Sequence, residues 1–193
     1  MIIENLFNDV LLLKNDIFED DRGSFSEIFN EKVFNKEGLN NHFLQDNISF
    51  SKDPGTIRGL HFQSNPFSQG KLLRVIKGSI EDFFIDLRRS SSTYEKFSSI
   101  KLSYETGSIY IPKGFAHGFC TLEKDTIVMY KVDQIYSKKH EGGIRWDDNF
   151  FKINWSLNNA MPIISEKDAN LPSWDKIKDK LDLWCLMKNK KDS

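Results

Sequence analysis

From Lys71 to Val132 the apolar positions come in short runs, each closed by glycine or by a polar cluster. Leu72–Ile76 stops at Lys77-Gly78, and Ser79–Leu87 stops in the polar stretch Arg88–Thr93. Phe97–Leu102 is followed by Glu105-Thr106-Gly107, and Ile109–Ile111 by Pro112-Lys113-Gly114; then come Ala116–Leu122 and Thr126–Val132. Short runs spaced in this way by turn-forming residues predict the strands of a sandwich or barrel. Nearer the N-terminus, Asp20-Asp21-Arg22-Gly23 reads as a turn and the alternating segment Ser24–Phe29 as a strand after it. Residues 31–40 suit a short helical turn before Gly38, and 137–172 looks irregular, anchored by Trp146 and Trp155. A helix is expected after an N-cap at Ser173, with Ile177, Leu181 and Trp184 on one stripe and a solvated tail over Lys188–Ser193. With no repeat or linker in view, residues 1–193 read as one domain. Its parts are N-terminal strands over 1–50, a barrel core over about 55–135, and the irregular segment and helix over 137–193.

Side-chain alternation adds a second layer. In Thr126–Val132, Val128, Tyr130 and Val132 share one face and Ile127, Met129 and Lys131 the other; in Ala116–Leu122, His117, Phe119 and Thr121 share a face. A face mixing Tyr or His with apolar residues fits a small barrel whose core is interrupted by a polar pocket. Equally, Tyr130 and His117 fit as core residues whose polar atoms are satisfied locally.

The 16 phenylalanines reinforce a strand-rich reading, and 39% hydrophobic with 28% charged residues is a soluble globular profile. A net charge of −1 and a pI near 6.4 leave no electrostatic footprint for nucleic acid. No apolar run approaches the roughly 20 residues that span a bilayer, and Met1-Ile2-Ile3-Glu4-Asn5 lacks the basic start of a secretory signal. Cys120 and Cys185 form neither a disulfide framework nor a zinc spacing, so a reducing cytoplasm is the simplest home.

Candidate chemistry centres on one of four histidines, His42, His61, His117 and His140. His61 lies in Arg58-Gly59-Leu60-His61-Phe62-Gln63, with Gln69-Gly70-Lys71 shortly after. An imidazole between two cations is the first candidate for acid–base work, on a substrate that is or becomes an anion. No His-x-His pair is present, so no metal site is expected. Other features read more plainly. Ser90–Thr93 suits a solvated loop, Cys120 a small buried residue, His140 an exposed one, and Asn65-Pro66-Phe67 a loop at the pocket mouth. Trp174 and Trp184 are expected to pack the last helix onto the barrel.

Taken together, six segments closely resemble the dTDP-4-dehydrorhamnose 3,5-epimerase family, in the family's order and from about Asp21 to Asp168. They are Arg58–Gln63, Gln69–Lys71, Asp86-Leu87-Arg88-Arg89, Ile111-Pro112-Lys113-Gly114-Phe115-Ala116-His117-Gly118-Phe119, Gly143-Ile144-Arg145-Trp146 and Ser165-Glu166-Lys167-Asp168. The resemblance implies an all-β, cupin-type jelly roll with short peripheral helices and a C-terminal helix. It also implies a homodimer exchanging N-terminal strands, a dTDP-4-keto-6-deoxyhexose substrate and no cofactor. By position, His61 matches the family's general base, Asp168 its carboxylate partner, Tyr130 the proton donor and Lys71 the lysine near the C4 oxygen. Arg58 and His117 match further pocket groups, and Gln45 and Asn47 resemble polar contacts. Tyr136 resembles an aromatic that stacks on thymine, and Arg22, Phe25 and Glu27 resemble a nucleotide-binding segment given to the partner subunit. The alternatives are an epimerase inverting one carbon only or acting on another nucleotide sugar, and a non-catalytic binder of the same fold.

Overall fold

The computed structural model describes residues 2–157 and 161–185. One sheet runs β1 (Ile2–Phe7), β2 (Val10–Lys14), β10 (Ser108–Ile111), β7 (Lys71–Lys77), β12 (Thr126–Val132) and β5 (Gln45–Ser51). The other runs β13 (Glu141–Gly143), β6 (Ile57–Gln63), β11 (Phe115–Thr121), β8 (Ser79–Asp86) and β9 (Phe97–Ser103). A separate hairpin pairs β3 (Phe18–Asp20) with β4 (Gly23–Phe25), and α1 (Glu31–Lys36), α2 (Glu166–Ala169) and α3 (Trp174–Cys185) lie at the periphery. All these ladders are antiparallel, and the two large sheets face each other as a cupin-type jelly roll.

Alternation explains where each face goes. The inner faces meet in a core of Val10, Leu12, Leu73, Val75, Ile109 and Val128 from one sheet against Ile80, Phe84, Leu102, Phe115 and Phe119 from the other. The back of the five-stranded sheet carries Ile57, Leu60, Phe62, Phe83, Ile85 and Cys120. It is covered by the 144–177 segment through Ile144, Phe151, Trp155 and the fully buried Trp174. Part of the other sheet's back is covered by Phe34 of α1 with Leu39. Beyond that cover, Ile48, Phe50 and Ile76 remain exposed.

The strands predicted from Leu72 to Val132 all form, with small shifts at their ends. Several expectations need correction. The strand expected over Ser24–Phe29 ends at Phe25, because side chains take over the backbone pairing: Ser26 Oγ donates to the Asp16 carbonyl (2.8 Å) and Asn15 Nδ2 to that of Glu27 (2.7 Å). Ser90–Thr93 is no purely solvated loop. Ser91 and Thr93 hydroxyls donate to buried Asp86 (2.5 and 2.7 Å), which also takes two bonds from the Arg88 guanidinium. This network reaches Asn8 in the β1–β2 turn and pins that turn to the barrel. His140 is half-buried, its ring stacked on Phe67 at 4.5 Å. The 137–172 segment holds both β13 and α2. As expected, α3 begins directly after Ser173, whose carbonyl accepts the Lys176 N–H, and Asp148 Oδ2, distant in sequence, takes the Trp174 N–H (2.8 Å). Ile177 packs on the core as predicted, whereas the side chains of Leu181 and Trp184 and the tail 186–193 lie outside the described residues.

Candidate active site

The central feature of the site is a break in strand alternation. On β6, Arg58 and His61 are three residues apart, and in a regular strand they would point to opposite faces. Against β11, however, His117 pairs with His61 and Phe119 with Arg58, so two steps on one strand oppose three on the other. This bulge turns both side chains into the barrel. Gly59 permits it. Its φ is +120°, and a Cβ there would stand 2.6 Å from Gly118 Cα and 2.7 Å from the His117 carbonyl.

His61 Nε2 donates to Asp168 Oδ1 at 2.7 Å, and Asp168 Oδ2 accepts from the Gly59 N–H at 3.1 Å. Asp168 is buried at the end of the Ser165-capped turn that forms α2, where Ser165 Oγ accepts its N–H. Burial pushes its carboxyl up, but the hydrogen bond and charge of His61 and the Gly59 N–H outweigh that and hold it below the usual carboxylate range. With Nε2 committed to a carboxylate, Nδ1 is the basic nitrogen of a neutral imidazole.

Across the pocket stand Tyr130 and Lys71 of the six-stranded sheet, while His117 and Asp82 belong to the same sheet as His61. Tyr130 projects from β12; burial pushes its phenol above its ordinary value, against a downward pull from Arg58. Lys71 opens β7 and its Nζ reaches back to the His61 carbonyl at 3.5 Å. Loss of hydration lowers Lys71 to about 8, opposed by the attraction of Asp82 and Glu141. His117 donates from Nε2 to Asp82 Oδ2 at 2.8 Å, and burial holds its pKa below the usual value despite that carboxylate. Asp82 is wholly buried, and its Oδ1 has no hydrogen-bond partner among the described residues. The same holds for Ser49 Oγ, which lines the pocket.

Two adjoining lobes of about 260 and about 330 Å³ share His61, Lys71 and Tyr130 in their walls. Arg58, His117, Ser49, Phe119 and Asp168 complete the first; Gln45, Asn47, Gln63, Gln69, Tyr136 and Glu141 line the second. At the rim the Tyr136 hydroxyl donates to Glu141 Oε2 (2.9 Å), and Glu141 pairs with Lys167. Larger hollows of about 450 and about 430 Å³ flank the β3–β4 hairpin, but neither holds a base paired with a carboxylate, so the site is the barrel mouth. Arg22, Phe25 and Glu27 belong to those hollows or the hairpin and do not join His61 in the single chain. The other residues expected from the sequence do converge. Asp82, Ser49, Gln63, Glu141 and Lys167 were missed; Asp82 had a signal, since Ile80, Asp82, Phe84 and Asp86 alternate onto an inward face. Among the described residues no three His, Cys, Asp or Glu side chains gather as metal ligands, and no helix is long and apolar enough to cross a membrane.

A jelly-roll barrel with an imidazole–carboxylate pair on one wall and a phenol and ammonium on the other defines an acid–base enzyme of the cupin type. Residues 4–176 match the family described as dTDP-4-dehydrorhamnose 3,5-epimerase. The chain is 46% identical over 166 residues to the dTDP-4-dehydrorhamnose 3,5-epimerase of Sinorhizobium fredii, covering 86% of this chain and 85% of that one. It is similar to the crystal structure of the Bacillus anthracis enzyme with TDP and PPi bound, at 47% identity and TM-score 0.86, over 90% of this chain and 98% of that one. It is similar too to the Legionella pneumophila enzyme in complex with dTDP-4-keto-L-rhamnose, at 34% identity and TM-score 0.87, over 93% and 96%. The chain belongs to the dTDP-4-dehydrorhamnose 3,5-epimerase family.

Proposed function

We propose that this chain inverts C3 and C5 of dTDP-4-keto-6-deoxy-D-glucose to give dTDP-4-keto-L-rhamnose. The observation that carries the reading is that His61, paired with Asp168 of α2, and Tyr130 stand on facing sheets. A sugar between them has a base on one side and an acid on the other, which is what inversion of a stereocentre needs.

The substrate's C4 carbonyl makes the hydrogens at C3 and C5 acidic, because the carbanion delocalises onto O4 as an enolate. His61 takes the proton at Nδ1, and Asp168 holds the ring's tautomer and stabilises the imidazolium. The Lys71 ammonium faces the developing O4 charge, a preorganised contact worth about 3–4 kcal/mol if it matches an oxyanion-hole donor. Tyr130, kept protonated by its raised pKa, returns a proton from the opposite side. Once His61 has released its proton to solvent and Tyr130 has regained one from it, the same cycle at the second carbon completes the reaction. Arg58 meets the pyrophosphate charge through forked hydrogen bonds, His117, Gln45 and Asn47 contact the sugar nucleotide, and Tyr136 stacks on thymine.

Arg22, Phe25 and Glu27 act in the site of a second copy. Support comes from the hairpin lining a hollow separate from the barrel pocket and from the apolar back of β5, where Ile48 is 72% and Phe50 57% exposed. Both large sheets build one pocket, which supports reading 1–193 as a single domain. The buried free thiol of Cys120 suits a reducing compartment, and we place the enzyme in the cytoplasm.

Proton NMR of dTDP-4-keto-6-deoxyglucose with the protein in D₂O tests this reading. Deuterium should enter C3 and C5, and His61→Ala should abolish exchange while dTDP still binds. Exchange at one carbon alone would make the protein a mono-epimerase, and a fully active His61→Ala would remove His61 as the base.

A further inference from the structure

Tyr136 lies in a stretch with no strand to hold it: β12 ends at Val132, β13 starts at Glu141, and 135–137 is irregular chain between a bend and a turn. The residue is 49% exposed and lines the second lobe. A stacking ring that is loose before binding loses affinity to the cost of ordering it. Something has to hold this backbone in place.

Gln63, the last residue of β6, is buried, and its carboxamide is committed to the main chain. Nε2 donates to the carbonyls of Phe67 (2.7 Å) and Ile135 (3.2 Å), and Oε1 accepts from the Ser137 N–H (2.7 Å). The bonds to 135 and 137 bracket Tyr136. Only this orientation of the amide satisfies all three partners. The Tyr136 N–H itself donates to Gln45 Oε1 at 3.0 Å. The third Gln63 bond joins this stretch to the 64–67 loop, and the two are tied again where Ser64 N–H donates to the His140 carbonyl (2.8 Å) and Phe67 stacks on the His140 ring. Gln63 lines the second lobe, yet both of its amide hydrogens are used, so it has no donor left for a ligand.

We propose that Gln63 is a positioning residue for nucleotide binding, fixing the 135–137 backbone so that the Tyr136 ring is set to stack on the base before the ligand arrives. This rests on the reading of Tyr136 as the stacking aromatic. It assigns Gln63 to affinity and not to chemistry, since its bonds go to the loop and not to His61, Asp168, Lys71 or Tyr130.

The test uses Gln63→Met, which keeps length and loses all three bonds, and Gln63→Glu, which keeps the acceptor and loses both donors. Circular dichroism checks the fold; if Gln63→Met does not fold, Gln63→Glu carries the comparison. Each should raise the Kd for dTDP and the KM for dTDP-4-keto-6-deoxyglucose about tenfold, the loss of roughly one base–aromatic stack, with kcat within about twofold. In a Tyr136→Leu background, adding Gln63→Met should change dTDP affinity by less than about twofold. A fall in kcat with KM unmoved, or losses that multiply in the double variant, would overturn the positioning role and leave Tyr136 stacking intact. Unchanged dTDP affinity in Tyr136→Leu alone would instead remove the stacking reading, and this inference with it.

Discussion

His61 and Asp168 lie 107 positions apart in sequence and 2.7 Å apart in the fold, and the charge state of their neighbours decides what they can do. Burial brings the titration of Lys71 down to about 8. Its ammonium is present below about pH 8 and lost above it. If that cation holds O4, kcat should fall as pH rises through about 8. In Lys71→Arg this alkaline limb should move far upward, because guanidinium stays charged. A pH–kcat profile unaltered by the substitution would remove Lys71 from that role. The sign for stability is opposite to that of a lysine gaining a partner. The folded value of about 8 lies below the ordinary 10.5, so stability rises between those pH values. At neutral pH, holding the charge costs on the order of 3 kcal/mol, with the attraction of Asp82 and Glu141 already counted. A site that carries such a cost shows function taking precedence over stability at one residue.

At the scale of elements, the bulge on β6 decides which face its side chains occupy. Gly59→Ala would place a Cβ against the β11 backbone at a φ of +120°. The variant should lose about 2–4 kcal/mol of stability, a fall of about 10 °C in Tm, and should lose activity as Arg58 and His61 no longer share a face. Calorimetry and the D₂O exchange assay check both halves. Wild-type values in both would show that the close approach of β6 and β11 is not needed. The bulge also explains a limit of strand patterning. Alternation placed Tyr130 and His117 correctly on inward faces, since β12 and β11 keep their period there. Applied to β6 it separates Arg58 from His61, because the extra residue is a product of pairing with β11.

For the whole molecule, the part of the six-stranded sheet's back that α1 leaves uncovered and the hairpin that lines a separate hollow point the same way. A second copy seated on Ile48, Phe50 and Ile76 would cover the apolar face and receive Arg22, Phe25 and Glu27. Phe50→Glu combined with Ile48→Lys should give a folded monomer by light scattering, with dTDP bound at least about tenfold more weakly than by the wild type. A wild-type chain that is itself monomeric at assay concentration would sink this arrangement.

Read alone, the chain determined an all-β class of fold, because the short runs and turn residues between Leu72 and Val132 fit a sandwich or barrel, and the family resemblance narrowed this to a jelly roll. It also singled out His61, Lys71, Tyr130 and Asp168 through segments whose order and residue types resemble a family. It did not give the Asp86 network, the Asp148 cap of α3 or the grip of Gln63 on the Tyr136 loop. Each joins a side chain to a group far along the chain, and no local period or propensity records such a partner. The pairing of His61 with Asp168, the bulge at Gly59 and the facing of His61 and Tyr130 across two sheets were decided by tertiary structure. Hydrogen-bond reach is about 3 Å in space and has no counterpart in sequence separation.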